Sequence, residues 1–155
     1  MTQPTLTREG LAVALFSLLQ GIPGVVTCSR RVRHWADVPA EEQPAIFLAK
    51  GKELPLQSPD GNPAIWKEEF TIHIYNHQTD PSVAPSTAIN SLLDAVESRL
   101  KPVASGPPGF PGSMQVLGDL TGRIRHAWIS GSIETDEGCL GDQAVAIIPI
   151  EIEVI

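Results

Sequence analysis

The sequence predicts an α+β fold, a mixed, mainly antiparallel sheet with two helices packed on one face. Two stretches repeat apolar residues at helical spacing and stop at Gly or Pro. Several others alternate apolar and polar residues with the period of two that a half-buried strand requires. Strands outnumber helices and follow one another closely, an order that favours antiparallel neighbours. At 155 residues, 42% of them hydrophobic, the chain is the size of one ordinary globular domain, and a single domain over 1–155 is expected.

The first helix starts at a Thr5 or Thr7 cap and runs to about Gln20. Leu11, Leu15, Leu18, Leu19 and Ile22 follow a 3.6-residue spacing, and Gly21, Pro23 and Gly24 end it. Its "LAVALFSLL" has the apolarity of a signal peptide, but Arg8 is followed at once by Glu9 and no A-x-A-like site follows, so we read a helix of the mature protein. "VVTCSRRVR" reads as a strand of β-branched residues that turns basic at its far end. "HWADVPAEEQP" is too polar and Pro-broken to continue it.

"AIFLAKG" is a short apolar strand, and "KELPLQSPDGNPA" carries turn chemistry at Pro59, Asp60 and Gly61. "IWKEEFTIHIYNHQ" is the longest clean alternation. Trp66, Phe70, Ile72 and Ile74 share one face, with Lys67, Glu69, Thr71, His73 and Tyr75 on the other, so the pair should form a hairpin with one dry and one wet face. Glu68 interrupts the apolar face and is expected near the strand's exposed end. In "TDPSVAPSTAINSLLDAVESRLKP", Ile89, Leu92, Leu93, Val96 and Leu100 mark a second helix that stops at Pro102. "KPVASGPPGFPGS" is a loop. "RIRHAWISGSIETDEG" reads as a strand leading into an acidic turn, and "AVAIIPIEIEVI" is the last strand. Ile148, Ile150, Ile152 and Val154 share a face that wants a core. Pro149 lacks an N–H, which places that strand at a sheet edge or gives it a bulge.

The net charge of −7 argues against generic nucleic-acid or anionic-membrane binding, which needs clustered Lys and Arg. No apolar run reaches the ~20 residues that cross a bilayer. Cys28 and Cys139 stand in unrelated contexts and are read as reduced thiols of a soluble protein, with neither a disulfide scaffold nor a zinc site. His73 and His77 would pair on a helix, but on a strand they start about 13 Å apart, too far for one ion. Glu41 with Glu42, Glu68 with Glu69, and Glu134 with Asp136 and Glu137 offer no evident acid–base couple, and no phosphate-binding or nucleophile motif is present. No catalytic, cofactor or metal residue is assigned. The alternative is a small enzyme or ligand-binding domain whose site gathers His34, Trp35, His126 and Trp128.

From "ALFSLLQGIPGV" through "WKEEFTIHIYNH" and "AINSLLDAVESRL" to "RHAWISGSIETDEGCLGDQAVAIIPIEIEVI", the chain resembles the tail terminator (tail completion) proteins of long-tailed bacteriophages. The resemblance spans nearly the whole chain and rests on element order and on the final block. Related neck and minor tail proteins share the plan. It implies a non-enzymatic virion protein that is assembled in the host bacterial cytoplasm and closes into a ring, commonly of six subunits, at the head-proximal end of the tail. Such a ring stops polymerisation of the tail tube protein and docks to the head–tail connector protein, while DNA passes through its lumen without specific binding. No membrane partner and no cofactor are implied. On that reading an edge strand carrying Ile148, Ile150 and Ile152 is completed by the next subunit. From charge segregation alone, Arg30, Arg31 and Arg33 of one copy are expected to meet Glu134, Asp136 and Glu137 of another.

Overall fold

A computed structural model of the chain describes residues 7–56, 65–101 and 124–154. The expected proline- and glycine-rich loop and the "SPDGN" turn lie outside the described residues. Among those residues the order is α1 (Arg8–Gln20), β1 (Thr27–Ser29), two single 3-10 turns (Trp35–Asp37 and Ala40–Glu42), β2 (Ala45–Leu56), β3 (Ile65–His77), α2 (Ser86–Leu100), β4 (Ile124–Ile129), β5 (Glu134–Leu140) and β6 (Gln143–Val154). The strands form one six-stranded sheet, β1-β2-β3-β6-β4, with β5 also paired to β6. Only β1 and β2 run parallel, so the sheet is mixed and mainly antiparallel and the fold is α+β, as the periodicities predict.

Thr7 caps α1, its Oγ1 accepting the Gly10 N–H at 2.9 Å. Leu11, Leu15 and Leu19 on α1 and Ile89, Leu92, Val96 and Leu100 on α2 are buried in one cluster with Ile46, Phe70, Ile72, Ile74, Ile148, Ile150, Ile152 and Val154 of the sheet. Both helices therefore cover the same sheet face, and a single apolar core lies between the layers. Arg99 of α2 ties them together: its guanidinium donates to the carbonyls of Leu18 (3.1 Å) and Gly21 (2.6 Å), carbonyls at the end of α1 that have no partner within that helix. A Cβ at position 21 would stand 2.6 Å from Arg99 Nη1, so a larger residue there would displace the guanidinium from its present position.

Three expectations are corrected. The last strand is not an edge. β6 pairs with β3 along its whole length, Trp66↔Val154 to His77↔Gln143, and its other side is shared by β5 opposite residues 143–147 and β4 opposite residues 150–154. Pro149 sits at the changeover. Its carbonyl accepts from Ser130 N–H (3.0 Å), which lies in the segment joining β4 to β5. A residue's N–H and C=O point to the same side of a strand, so the missing donor faces the gap between the two partners, where no ladder bond is due. Ile148, Ile150 and Ile152 are fully buried in the chain's own core and are unavailable as a subunit seam.

Second, the acidic "ETDEG" is not a turn. It forms most of β5, with Glu134↔Ile147, Thr135↔Ala146, Asp136↔Val145 and Glu137↔Ala144. Pairing to a buried central strand overrides the low strand preference of acidic residues. Third, the basic segment is not a strand. β1 stops at Ser29, whose Oγ accepts the Arg31 N–H (3.0 Å), and Arg31 and Arg33 lie beyond it.

The far face of the sheet is not uniformly wet. The segment 34–44 folds onto it, and Val38 joins Ala45, Phe47, Tyr75 and Val145 in a second, smaller core with Trp35 and Ile147 against it. Tyr75, expected on the polar face, is buried and donates its hydroxyl to the Arg33 carbonyl (2.8 Å). Gln43 and Gln143, both buried, exchange amide hydrogen bonds of 2.9 Å, and Gln43 donates to the Val38 carbonyl (2.8 Å), which pins the segment to β6.

Shortening a buried isoleucine on β6 removes transfer energy and leaves a cavity between two packed layers. Ile150→Ala is expected to lower unfolding free energy by about 2–5 kcal/mol in urea denaturation. Ile150→Asp, which buries an unpaired charge, is expected to abolish the cooperative transition.

Candidate functional site

The charged residues singled out in the sequence fall into an inner group and two outer edges. The inner group is built by a bulge. Lys50 pairs with Phe70 and Glu53 with Glu68, so one extra residue is inserted in β2. Lys50 continues the helix-side alternation of Ile46 and Leu48, and the insertion turns Glu53 to that same side, opposite Glu68. Arg8, in the first turn of α1, donates to Glu53 from Nε (2.9 and 2.7 Å) and Nη2 (2.5 Å), and its guanidinium lies 5.9 Å from the Trp66 ring centroid. Hydrogen bonding to Arg8 is the main cause that holds the Glu53 carboxyl at about 2.

Glu68 is fully buried, with no hydrogen-bond partner for either carboxylate oxygen, and Lys50 Nζ stands 3.4 Å from Oε1. Burial pushes its carboxyl up and Lys50 draws it back down. Glu68 was expected at an exposed strand end. The bulge and the α1 contact that enclose it leave no mark on the local pattern.

Arg30 pairs with Glu9 of α1 (2.5 Å) and Arg33 with Glu42, both partners being in the same chain. Arg31 is exposed and makes no ion pair among the described residues. On β5, Glu137 Oε2 accepts the Ser86 N–H at 2.9 Å, capping α2, whose Pro85 supplies no side-chain cap. Glu134 is exposed, and Asp136 is half-buried with an unpartnered Oδ1. The expected grouping of Glu134, Asp136 and Glu137 therefore divides. Glu137 serves this chain's own helix, while Glu134 and Asp136 face the side of the sheet away from the helices.

The four residues of the alternative site do not converge. His34 and Trp35 stack on each other, centroids 5.1 Å apart, and Trp35 packs on the Tyr75–Val145 end of the far face. Trp128 is paired with Glu151 and His126 with Glu153. Glu151 lies six positions along β6 from Val145, about 20 Å of strand. Lys67 bridges that region, 3.1 Å from Glu151 and 5.7 Å from the Trp128 ring centroid. His73 is paired opposite Ile147 and His77 opposite Gln143, and burial lowers the His73 imidazole. Burial raises the thiol of Cys28. Among the described residues no group of three His, Cys, Asp or Glu side chains converges on a metal site, and no helix is long and apolar enough to cross a membrane.

Sequence reasoning missed the exposed apolar residues at the sheet margins. Val26 (61% exposed) and Val32 (39%) flank β1, and Ile133 (39%) precedes β5. Only the placement of β1 and β5 at opposite edges distinguishes them from ordinary surface residues.

No protein-family model matches the chain, and no curated protein matches it. The fold is shared with a chain of the solved structure titled "Virion of native gene transfer agent (GTA) particle". The TM-score is 0.55 at 13% sequence identity, and the match covers 97% of this chain and 98% of that one.

Linkage gives the two inner carboxylates opposite pH signatures. Glu53, held at about 2, contributes stability that is present above its ordinary value of 4.5 and lost as pH falls toward 2. Glu68 is raised, so the fold prefers its protonated form and stability is lost as pH climbs past the same ordinary value. In urea titrations across pH, Glu53→Gln is expected to be less stable than wild type at pH 7, the difference closing toward pH 2. Glu68→Gln is expected to be more stable than wild type at pH 7 and level with it under acid. A destabilised Glu68→Gln at pH 7 would mean that the Lys50 pairing outweighs desolvation.

Glu137→Ala should cost about 1 kcal/mol, the usual worth of a helix cap, with Glu137→Gln recovering most of it in the same assay.

Proposed function

We propose that this chain is a structural protein of a phage-like virion and, within it, the tail terminator. In that role copies of the chain form a ring at the head-proximal end of the tail, arrest polymerisation of the tube protein, and present the surface that meets the head–tail connector. The observation that carries this reading is the end-to-end correspondence of fold with a chain of a gene transfer agent virion, with almost nothing left over on either side. The terminal block and the order of elements, which resemble tail terminators, support the finer assignment.

A ring needs a contact that each copy makes with both neighbours through different surfaces. A sheet with two open edges meets that need, and β1 on one side and β4 with β5 on the other are outermost among the described residues. The net charge of −7 suits a lumen through which DNA moves without being held, since like charges repel over the screening length of about 8–10 Å.

The test is mass by light scattering together with negative-stain imaging, first of the chain alone and then with polymerised tail tube of the same virion. Rings, or caps at one end of tubes of finite length, are the expected result. A chain that stays monomeric and leaves tube ends bare and growing would overturn the terminator assignment. Binding along the tube wall would reassign it to a neighbouring tail component.

A further inference from the structure

The register of the sheet places β1 and β5 at the same level on opposite edges. Ser29 is paired with Phe47, Phe47 with His73, His73 with Ile147 and Ile147 with Glu134. The rows beginning at Thr27 and Cys28 run likewise to Asp136 and Thr135. At this level the sheet is five strands wide, about 19 Å from edge to edge at the usual strand spacing. One edge carries Arg31, exposed and without an ion pair among the described residues, between the exposed Val26 and Val32. The other carries the exposed Glu134 beside the exposed Ile133. Arg30 and Arg33 are already matched by Glu9 and Glu42, so Arg31 is the cation of this edge left for a partner.

Direction fits as well. β1 runs with β2 and against β3, β3 runs against β6, and β6 runs against β5, so β1 and β5 of one chain are antiparallel. A second copy placed beside the first without being turned over brings its β5 against β1 in antiparallel sense, the sense that already dominates this sheet. The rows then continue from Ser29 into the neighbour's Glu134, and Arg31, two residues past the end of β1, where the chain bends, lies close to that row.

We propose that these two edges are the halves of one head-to-tail contact between copies of this chain, with Arg31 meeting the Glu134 end of the neighbour's β5 and Val26, Val32 and Ile133 covered at the seam. This deepens the ring reading above and rests on it. The contact is heterologous: each copy offers a basic edge to one neighbour and an acidic edge to the other. Both edges are needed, and neither pairs with its own kind.

Charge reversal separates the possibilities. Arg31→Glu and Glu134→Arg are surface changes, expected to leave circular dichroism and melting close to wild type. Each alone should reduce the fraction of tube ends capped, at equal protein concentration, by about tenfold or more, because like charges then face each other across the seam. The double variant Arg31→Glu with Glu134→Arg should restore capping, and so should an equal mixture of the two single variants, whose reversed edges complement one another in alternation. High salt should weaken wild-type capping and narrow these differences. If folded single variants cap tubes as wild type does, or if the double variant and the mixture both stay inactive, the edge contact is wrong although the terminator role stands. If wild type neither self-associates nor caps tubes, both fall.

Discussion

β6 has to be enclosed on both faces at one end and on both edges along nearly all its length, and much of the molecule is arranged around that constraint. Its even-numbered residues form an isoleucine stripe that no solvent-facing position would tolerate, so two helices lie across it. Its edges need hydrogen-bond partners as well. β3 supplies one side completely, and the other is divided between two shorter strands that meet at Pro149. A residue with no N–H belongs at the point where no ladder partner is required. Proline here marks an exchange of partners in the middle of a sheet, the reverse of the edge position that its chemistry first suggests.

What was legible in the sequence follows from what periodicity encodes. The spacings of Leu11, Leu15, Leu18, Leu19 and Ile22 and of Ile89, Leu92, Leu93, Val96 and Leu100 report a buried stripe on a helix; Leu18 and Leu93 are half-buried at the margins and the rest are buried. The alternation in β3 and β6 reports which side chains share a face. It carries no information about whether a strand's edges are free, because edge occupancy is decided by backbone pairing with residues far away in the chain. The pattern of Ile148, Ile150 and Ile152 therefore encodes a need for cover but not its source, which is this chain's own helices rather than a neighbour. β5 was illegible for the converse reason. Glu134, Asp136 and Glu137 have poor intrinsic strand preference, and only the presence of β6 beside them makes a strand of that segment. Tyr75 was missed because the Pro-broken segment that covers it has no period at all.

The interior charge is a separate matter. Glu68 lies opposite Ile152, five residues along β6 from Ile147 and so about 17 Å from the rows that join β1 to β5. A bulge sets Glu53 opposite it and Lys50 stands alongside, in a cluster where Glu53 is already committed to Arg8. A buried carboxylate with an imperfect partner is weak support for stability. Its effect here is positional, since α1 is tied to the β2–β3 hairpin through Arg8, Glu53 and the Trp66 ring. The edges of the proposed seam and this cluster lie in different parts of the sheet and make no shared demand on any residue.

The small size of the proposed seam bears on how a ring of such chains would behave. β1 is three residues long, so an added strand gains few ladder bonds, and one charged pair with three exposed apolar side chains adds little in dilute solution, where association must also offset the lost freedom of each copy. Such a contact is weak singly and strong in a closed set. Once a tube end holds several copies side by side, each further contact forms at high effective concentration, and closing the ring adds a last contact with no further copy to immobilise. Sheet twist supplies a rotation from each copy to the next, so the same edges need not extend into a flat ribbon. A weak, directional, heterologous seam of this kind would keep the free chain dispersed and reserve closure for the tail end, where the proposed role requires it.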